Sequence, residues 1–375
     1  MSPFRRALTN ELAHLRRDRW DLALLTLMPA TLLTLMAAML LQAVPRNLPI
    51  VVVDQDRSSF SRALVRDVAA SPTVHITEIG DSIDAAFRTV RQERAWAVLS
   101  IPRGAGDLVR MPVPAIQIFY QASFLSTGSV VASAVEAAAR AAVARQTTEL
   151  LASHGLPGLR VPTPTVQATI LYNAATSFEW YLLVLICPAV LHLLIGCMTV
   201  VALGREVRGG SFTAWTRASG GVAGALAGKM LPYVVIVSGW GAAWLIWLCV
   251  VRGWRVEGSL GVIVGAQALL FAATAAISAF LVALTKQVST GLSASAIYAG
   301  SALAYSGATL PLNGGSLFAR IWSQALPLTH YMALQMDQFL GAPIATALPQ
   351  LGALSLYVLL LGSVAVLVLR RAGRT

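Results

Sequence analysis

Residues 180–206 of the chain are WYLLVLICPAVLHLLIGCMTVVALGRE, 25 residues without a charged side chain followed by Arg205 and Glu206. About 20 apolar helical residues, each rising about 1.5 Å, are enough to cross the hydrocarbon of a bilayer. The stretch therefore predicts a membrane-spanning helix that ends at a polar boundary. The remaining segments can be assigned outward from this helix.

Similar uncharged stretches precede and follow it. Only 12% of all residues are Asp, Glu, Lys or Arg and 56% are hydrophobic, and this is about half the charge of an average soluble protein. We predict a polytopic α-helical membrane protein with six transmembrane helices. The predicted spans are residues 22–44 and then about 180–203, 230–251, 260–284, 290–311 and 350–369. The last five belong to a transmembrane domain, residues 179–375, which also holds a cytoplasmic loop at 204–228 and an external hairpin at 312–345.

Basic residues collect on one side of this topology. With the N-terminus in the cytoplasm, the cytoplasmic segments are residues 1–21, 204–229, 285–289 and 370–375. They hold 13 of the 28 Lys and Arg residues but only four acidic residues. Because basic residues near span ends favour the cytoplasm, we predict that both termini are cytoplasmic. The net charge of +11 then reflects orientation and attraction to anionic membrane lipid.

Residues 1–21 are predicted to form an amphipathic helix. The apolar positions are Phe4, Leu8, Leu12 and Leu15, and the basic positions are Arg5, Arg6, Arg16, Arg17 and Arg19. A helix with two such faces lies in the plane of the membrane interface. It is either a lipid anchor ahead of the first span or a lever that also contacts a cytoplasmic partner.

About 130 residues separate the first two spans, which is too many for a loop. In residues 45–178 the apolar runs give way to short strands that alternate with amphipathic helices. The predicted strands are Leu48–Asp54, Val74–Ile79, Ala95–Ile101 and Ala115–Gln121, and the predicted helices are about Ser58–Ala70, Asp81–Gln92 and Ser126–Ser153. The pattern predicts an inserted external α/β domain with partly parallel strands. Asp54 and Asp56 are assigned to a turn before the first helix rather than to a ligand site.

The sequence contains no arrangement typical of an enzyme or a metal site. The five histidines are dispersed. Cys187, His192 and Cys197 are five residues apart, which turns successive side chains about 140° from each other on a helix. The string nearest to a phosphate-binding loop, Gly224–Met230, lacks the required spacing and hydroxyl. We expect no catalytic residue, cofactor or metal in this chain. The basic residues also lack the interleaved aromatic residues of nucleic-acid-binding proteins.

The middles of the predicted spans contain no Asp, Glu, Lys or Arg. Ion-coupled carriers usually need such groups, so the pattern argues against a secondary carrier, although polar breaks in helices can also bind sodium. Small residues recur every four positions at Gly220, Gly224 and Gly228. Three polar positions near one face of the fifth span line either a substrate pathway or a helix or dimer interface. They are Tyr298, Ser301 and Tyr305.

Seven short segments follow one another in an informative order. They are VVVDQDRSSFSR (Val51–Arg62), AVLSIPRGAGDLVR (Ala97–Arg110), ILYN (Ile170–Asn173), GRE (Gly204–Glu206), GKMLPY (Gly228–Tyr233), SGATLP (Ser306–Pro311) and PLTHY (Pro327–Tyr331). In this order and topology, the chain resembles the membrane subunit of a type-2 ABC transporter. The resemblance is to the bacterial exporter branch with a large periplasmic domain between the first and second spans.

The resemblance implies a division of labour between subunits. Separate cytoplasmic ABC ATPase subunits bind ATP and magnesium, and two permease subunits, identical or homologous, form the pathway. It also implies that the loop after the second span couples the permease to the ATPase. The implied coupling residues are Arg205, Glu206, Arg208, Gly210 and Phe212. The loop departs from the more acidic family pattern at Val207–Gly209 and at Ser211.

These observations lead to the expectation of an ABC exporter permease in a bacterial inner membrane. The near absence of lysine, with only Lys229 and Lys286, is typical of a GC-rich bacterial genome. The expected cargo is a small or amphipathic drug, lipid or peptide-like molecule, and a periplasmic adaptor protein is a further expected partner. Two alternatives are an ion-coupled secondary carrier and a membrane-anchored sensor or scaffold that uses its external domain.

Overall fold

The computed structural model describes residues 2–40, 46–92, 94–107, 115–120, 125–153, 177–208, 215, 221–309 and 316–372. The chain divides into two compact units. The first consists of Met1–Leu41 and Tyr181–Thr375, and the second of Gln42–Trp180. Each unit has its own secondary structure and its own core.

Helices dominate the first unit and alternate with strands in the second. In chain order, the helices are α1 (Pro3–Arg17), α2 (Arg19–Leu40), α3 (Ser59–Ala69), α4 (Ile83–Arg91), α5 (Leu125–Ser153), α6 (Phe178–Arg208), α7 (Val222–Ile246), α8 (Leu260–Thr285), α9 (Val288–Ala302), α10 (Leu317–Gln324), α11 (Pro327–Phe339) and α12 (Leu348–Ala372). The strands are β1 (Leu48–Asp54), β2 (Val74–Gly80), β3 (Ala97–Ile101) and β4 (Gln117–Tyr120). A π-helical turn, Trp247–Val251, continues α7, and a 3-10 turn, Ile344–Ala347, precedes α12.

Five helices in the described part of the chain are long and apolar enough to cross a membrane. They are Arg19–Leu40, Phe178–Glu206, Val222–Val251, Leu260–Thr285 and Ile344–Arg371. This supports the prediction of a multi-pass membrane protein. The predicted span at about 290–311 is not among them, because α9 has only 15 residues and therefore rises about 22 Å, less than the roughly 30 Å of hydrocarbon.

The core of the first unit is formed by α6 and α8. In the most apolar stretch of each helix, 67% of the residues of α6 and 56% of those of α8 are buried, compared with 22% for α2 and 11% for the segment that contains α12. Small residues allow α9 to approach both core helices closely. A Cβ on Gly196 of α6 would lie 2.8 Å from Ser295 Oγ of α9, and a Cβ on Gly291 of α9 would lie 3.1 Å from Val282 of α8.

One contact fixes the relative direction of α8 and α12. The backbone amide of Gly258 donates to the carbonyl of Gln338 at 2.9 Å, and that of Ser259 donates to Gln338 Oε1 at 3.0 Å. The end of α11 therefore lies beside the start of α8. Since α12 begins soon after α11, both α8 and α12 leave the same end of the bundle and run in parallel.

The second unit is an α/β fold around a four-stranded sheet of order β2-β1-β3-β4. β1 pairs in parallel with β2 and β3, and β3 pairs antiparallel with β4. α3 and α5 pack on one face, through residues such as Leu64 and Val135, and α4 packs on the other, through Ala86. β1 is buried on both faces, and its continuous apolar run is typical of such a central parallel strand.

Asp54, the last residue of β1, holds a turn, as the sequence predicts, whereas Asp56 links two loops. Asp54 Oδ1 accepts from the backbone amides of Asp56 and Arg57 at 3.1 and 2.9 Å. The Asp56 carboxylate accepts from the amides of Gly104 and Gly106 at 2.7 and 3.2 Å. Asp56 thus joins the loops that follow the neighbouring parallel strands β1 and β3.

Candidate functional site

Two glycines on α7 allow α1 to pack directly on its backbone. A Cβ on Gly228 would overlap the carbonyl oxygen of Phe4 and lie 3.1 Å from Ala7 Cβ. A Cβ on Gly224 would lie 3.3 Å from the backbone nitrogen of Phe4. The glycine repeat is therefore a helix-packing surface for α1, while its first member, Gly220, lies outside the described residues.

The buried stripe of α1 includes a carboxylate. It consists of Ala7, Glu11 and Leu15 at intervals of four residues, and Glu11 is 3% exposed. This differs from the predicted apolar face, since Leu12 is 41% exposed. The neighbours of Glu11 on α6 and α7 determine how this charge is accommodated.

Glu11 is the centre of a group of ionised and polar side chains, which we call the charge cluster. Its members are Glu11, Asp21, Arg205, Glu206, Lys229 and Tyr233. Glu11 Oε2 accepts from Lys229 Nζ at 2.7 Å, and Glu11 Oε1 accepts from the Tyr233 hydroxyl at 2.7 Å and from the Arg205 guanidinium. Every oxygen of this carboxylate thus has a donor, as a buried charge requires.

Arg205 and Lys229 extend the cluster to two further carboxylates. The Arg205 guanidinium donates to Asp21 at the start of α2 and, at 3.2 Å, to the Tyr233 hydroxyl. Lys229 Nζ also donates to Glu206 Oε1 at 2.9 Å. The side chains of Lys229 and Glu11 are both 4% exposed. The cluster therefore joins α1, α2, the end of α6 and the first turns of α7.

Asp18 sets the junction between α1 and α2. Its Oδ1 accepts from the backbone amides of Trp20 and Asp21 at 2.9 and 3.2 Å. The hydrogen bond from the Asp21 amide is the main cause that lowers the pKa of the Asp18 carboxyl below its ordinary value, and the Trp20 amide and the nearby His14 and Arg205 act in the same direction. The chain thus breaks helix at Asp18 and restarts with Asp21 facing Arg205.

The sequence predicted a loop that begins at residue 204, but in the structure the coupling residues Arg205 and Glu206 are helical. α6 continues to Arg208 and α7 begins at Val222, so Arg205 and Glu206 occupy the last turns of a helix. Lys229, predicted to end the cytoplasmic loop, lies two turns inside α7. The Arg208 backbone is helical, and Gly210 and Phe212 lie outside the described residues.

One group in the described part of the chain has ligand atoms close enough to share a metal ion. The ligand atoms of His14, Asp18 and Asp21 lie within 4.8 Å of one another. However, Asp21 Oδ2 is 3.0 Å from His14 Nε2 and is also paired with the Arg205 guanidinium. Because a permanent cation already meets this oxygen, the group is better explained as the edge of the charge cluster.

The three polar positions predicted near the fifth span do not share one face. Tyr298 lies in α9, and the centroid of its ring is 6.0 Å from that of His192 on α6. The Ser301 hydroxyl donates to the Tyr298 backbone carbonyl at 3.0 Å. Tyr305 follows the end of α9, and its ring packs edge-to-face with that of Phe318, with 6.5 Å between the ring centroids. Tyr298 therefore packs within the unit, and α9 ends before it can present Tyr305 beside it.

A group of three hydroxyls and one imidazole lies between α6, α8 and α9. Thr274 Oγ1 is 2.6 Å from His192 Nδ1, and the hydroxyls of Ser278 and Ser295 are 2.8 Å apart. His192 is fully buried, so its hydrogen bond with Thr274 is shielded from water. Side-chain hydrogen bonds of this group link α8 to both α6 and α9.

The sequence analysis assigned no role to four members of the cluster, which are Glu11, Asp21, Lys229 and Tyr233. Glu11 could have been found from its spacing, because it lies four residues from Ala7 and from Leu15 on one helical stripe. Lys229 could have been found from its rarity, as one of two lysines in the chain. Their mutual contact depends on how α1 folds back on α7. The glycine repeat of α7 indicates a close helix contact, but it does not identify α1 as the partner.

Comparison with known proteins gives one result. A family model described as "ABC-2 family transporter protein" matches residues 19–367, which is most of the chain. No curated protein and no solved structure matches the chain significantly.

Proposed function

The chain belongs to the ABC-2 transporter family, and from this membership we propose that it is the permease subunit of an ATP-driven exporter in a bacterial inner membrane. Members of this family work with an ABC ATPase in a partner subunit. The observation that supports a role in energy coupling is the charge cluster, because it joins α1 and α2 to the end of α6 and to α7.

The cluster offers a path for mechanical force. We place the ATPase contact at the segment between Arg208 and Val222. The short segments on either side of it, Gly204–Glu206 and Gly228–Tyr233, are among those that resemble type-2 ABC permeases. Glu206 at the end of α6 is joined to Lys229 in α7, and Lys229 is joined to Glu11 in α1. A displacement of the loop would therefore move α1, α6 and α7 together, and α1 acts as a lever rather than only as an anchor.

The positions of basic residues support a cytoplasmic location for the cluster. A Cβ on Gly204 of α6 would contact Val288 of α9, so the α8–α9 turn with Lys286 lies at the same end of the unit as Arg205. The arginines of α1 belong to this end as well. Basic residues at one set of helix ends mark the cytoplasmic side.

The sixth crossing is proposed to be shared between several short elements. α9 begins at the cytoplasmic end and is too short to cross by itself, and α10 and α11 follow it. Together they would return the chain to the outer side, from which α12 crosses with Arg370 and Arg371 at its cytoplasmic end. Gln42–Trp180 is then a periplasmic domain, and a second copy or homologue completes the pathway.

The proposal is tested by isolating the full-length permease from its native membranes and assaying ATP hydrolysis. We expect a co-purifying ABC ATPase whose activity in nanodiscs is stimulated by the permease. Glu206→Gln should lower this stimulation at least threefold, because it removes the charge that links α6 to Lys229. Glu257→Gln is the matched control, since Glu257 is exposed outside the cluster.

Two outcomes would contradict the proposal. Purification without any associated ATPase would favour a sensor or scaffold. Solute flux that follows an ion gradient and persists without ATP would favour a secondary carrier.

A further inference from the structure

Pro29 and Pro188 lie inside helices that are long and apolar enough to cross a membrane. Pro29 is near the middle of α2, and Pro188 is in the first half of α6. A proline has no amide hydrogen, so the carbonyl four residues before it loses its hydrogen bond within the helix. The carbonyls left free in this way are those of Leu25 and Val184. Within hydrocarbon, each of them needs another donor.

A side chain from a neighbouring helix supplies each of these donors. The indole Nε1 of Trp240 in α7 donates to the Leu25 carbonyl at 3.2 Å. Nε2 of Gln335 in α11, a residue that is 1% exposed, donates to the Val184 carbonyl at 2.9 Å. We call these two hydrogen bonds the latches. The same solution thus occurs in two helices with different neighbours.

Cavities lie beside both halves of α2. Residues before Pro29, including Leu24 and Met28, line a cavity of about 240 Å³. Residues between 30 and 38 line a second cavity of about 400 Å³, whose opposite wall includes Trp244 of α7. The latch on the Leu25 carbonyl therefore lies where α2 contacts α7, and each half of α2 has space beside it to move into.

Both prolines lie between the charge cluster and the far ends of their helices. Asp21 at the start of α2 is paired with Arg205 near the end of α6, so the cluster joins the two helices at one end. A helix bends most easily where a proline interrupts its own hydrogen bonds. A displacement of the cluster would therefore bend α2 at Pro29 and α6 at Pro188.

Pro232 of α7 lies within the charge cluster rather than beyond it. The carbonyl four residues earlier belongs to Gly228, which packs on α1. The next residue, Tyr233, is hydrogen-bonded to Glu11. This part of α7 is thus held by α1, and we assign Pro232 no hinge.

We propose that Pro29 and Pro188 are hinges at which α2 and α6 bend. The latches from Trp240 and Gln335 hold both helices in the present conformation. Breaking a latch leaves a carbonyl that the helix itself cannot satisfy, so the latched conformation persists until a force from the charge cluster displaces it. The latches are a property of this chain alone, whereas the use of the hinges during ATP hydrolysis rests on the proposed function.

The first test uses the full-length permease alone, in nanodiscs. Trp240→Phe removes the indole donor and should lower the midpoint of thermal unfolding by about 2–4 °C, as expected for one lost hydrogen bond. In a Pro29→Ala background, the amide of residue 29 bonds the Leu25 carbonyl. The same tryptophan substitution should then lower the midpoint by less than half as much. Equal losses in the two backgrounds would overturn the latch.

Trp247→Phe is the matched control for this cycle. Trp247 lies in the π-helical turn after α7, and its indole N–H has no acceptor among the residues that the structure describes. Its replacement should change the midpoint equally with and without Pro29. Gln335→Met combined with Pro188→Ala repeats the cycle in α6.

Amide hydrogen exchange of the permease alone measures the hinge directly. Trp240→Phe should speed exchange of the α2 amides next to residue 29 at least threefold, because the helix then opens there more often. Pro29→Ala in the same chain should reverse this effect. Exchange as slow in Trp240→Phe as in the wild type would refute a latched hinge.

The second test asks whether the hinges move during ATP hydrolysis. Pro29→Ala and Pro188→Ala restore backbone hydrogen bonds, so each should keep or raise the unfolding midpoint but lower ATPase stimulation at least threefold. A merely structural role would change stability and stimulation in the same direction. Pro349→Ala is the control, since a proline in the first turn of α12 removes no helical hydrogen bond. It should leave stimulation within twofold of wild type.

The outcomes separate this inference from the proposed function. Unchanged stimulation in both Pro29→Ala and Pro188→Ala, with an ATPase that the wild type stimulates, would remove only the hinges. Absence of any ATPase partner would remove the proposed function, and hydrogen exchange in the permease alone then decides whether α2 has a latched hinge.

Discussion

Burying the charged side chain of Glu11 costs desolvation free energy, but its hydrogen bonds determine which helices pack together. Its side chain is 4% exposed, and it receives hydrogen bonds from Arg205, Lys229 and Tyr233. The desolvation of such ions can cancel much of their mutual attraction, but removing one partner of a buried pair typically costs about 3–5 kcal/mol. The cluster therefore fixes which helices lie together more than it adds to overall stability.

The two lysines of the chain provide a matched comparison. Lys229→Met leaves Glu11 and Glu206 without the cation between them, and we expect a loss of about 3–5 kcal/mol in stability. Lys286→Met changes an exposed lysine in the turn after α8 and should change stability by less than about 0.5 kcal/mol. Thermal unfolding of the purified variants measures both.

A double substitution separates charge pairing from a simple loss of packing. Glu11→Gln combined with Lys229→Met should cost less than the sum of the two single changes, because the contacting residues are energetically coupled. Additive losses would contradict the assigned ion pair.

At the scale of elements, α1 is held against α7 by close backbone packing at two glycines as well as by ion pairs. Gly224 and Gly228 approach the first turns of α1, around Phe4 and Ala7. Glu11 lies one turn after Ala7 and pairs with Lys229, the residue that follows Gly228. A side chain at Gly228 would separate the helices and pull the carboxylate away from its partners. The glycine face is thus a condition for the charge cluster to form.

Gly228→Ala tests this dependence. The added methyl group would overlap the Phe4 carbonyl, so we expect α1 to detach and its arginines to be cleaved by trypsin at least several times faster. Gly239→Ala in the same helix is the control, because nothing lies within 4 Å of its Cβ position. Replacing a helical glycine by alanine there should be neutral or stabilising by up to about 1 kcal/mol. Equal cleavage rates in both variants would disprove the glycine-dependent docking.

At the scale of the whole molecule, the number of crossings determines where each exposed surface lies. Five candidate spans alone would place the two termini on opposite sides, whereas basic residues lie in α1 and in the last turn of α12. An even number of crossings is consistent with the positive-inside rule. The short elements α9, α10 and α11 are the ones available for the remaining crossing.

Cysteine labelling in spheroplasts tests this topology. In a variant without the three native cysteines, Glu78→Cys in β2 and Arg320→Cys in α10 should react with a membrane-impermeant maleimide from outside. Lys286→Cys in the turn after α8 should react only after lysis. All three positions are exposed, so the membrane and not burial decides the result. Labelling of Lys286→Cys in intact spheroplasts would reject the proposed orientation.

The amino-acid sequence determined the parts of this protein that depend on local pattern. Continuous apolar runs located the five described helices that are long and apolar enough to cross a membrane. They also located the strand Leu48–Asp54 at its observed bounds, because a central parallel strand is apolar on both faces. The turn role of Asp54 likewise followed from its position before a helix. The family match, over residues 19–367, agrees with the resemblance drawn from short motifs in order.

Only the tertiary structure decided which distant charges meet. Glu11 and Lys229 are 218 residues apart, and neither the helical period of α1 nor that of α7 carries information about the other. The sequence placed Lys229 in a loop because a charge is a usual sign of a span end, but burial against Glu11 allows the helix to begin earlier. A mainly apolar cavity of about 240 Å³, lined by residues of α2, α6 and α7 beside Asp21, arises from the same long-range packing, since three helices must come together to form it.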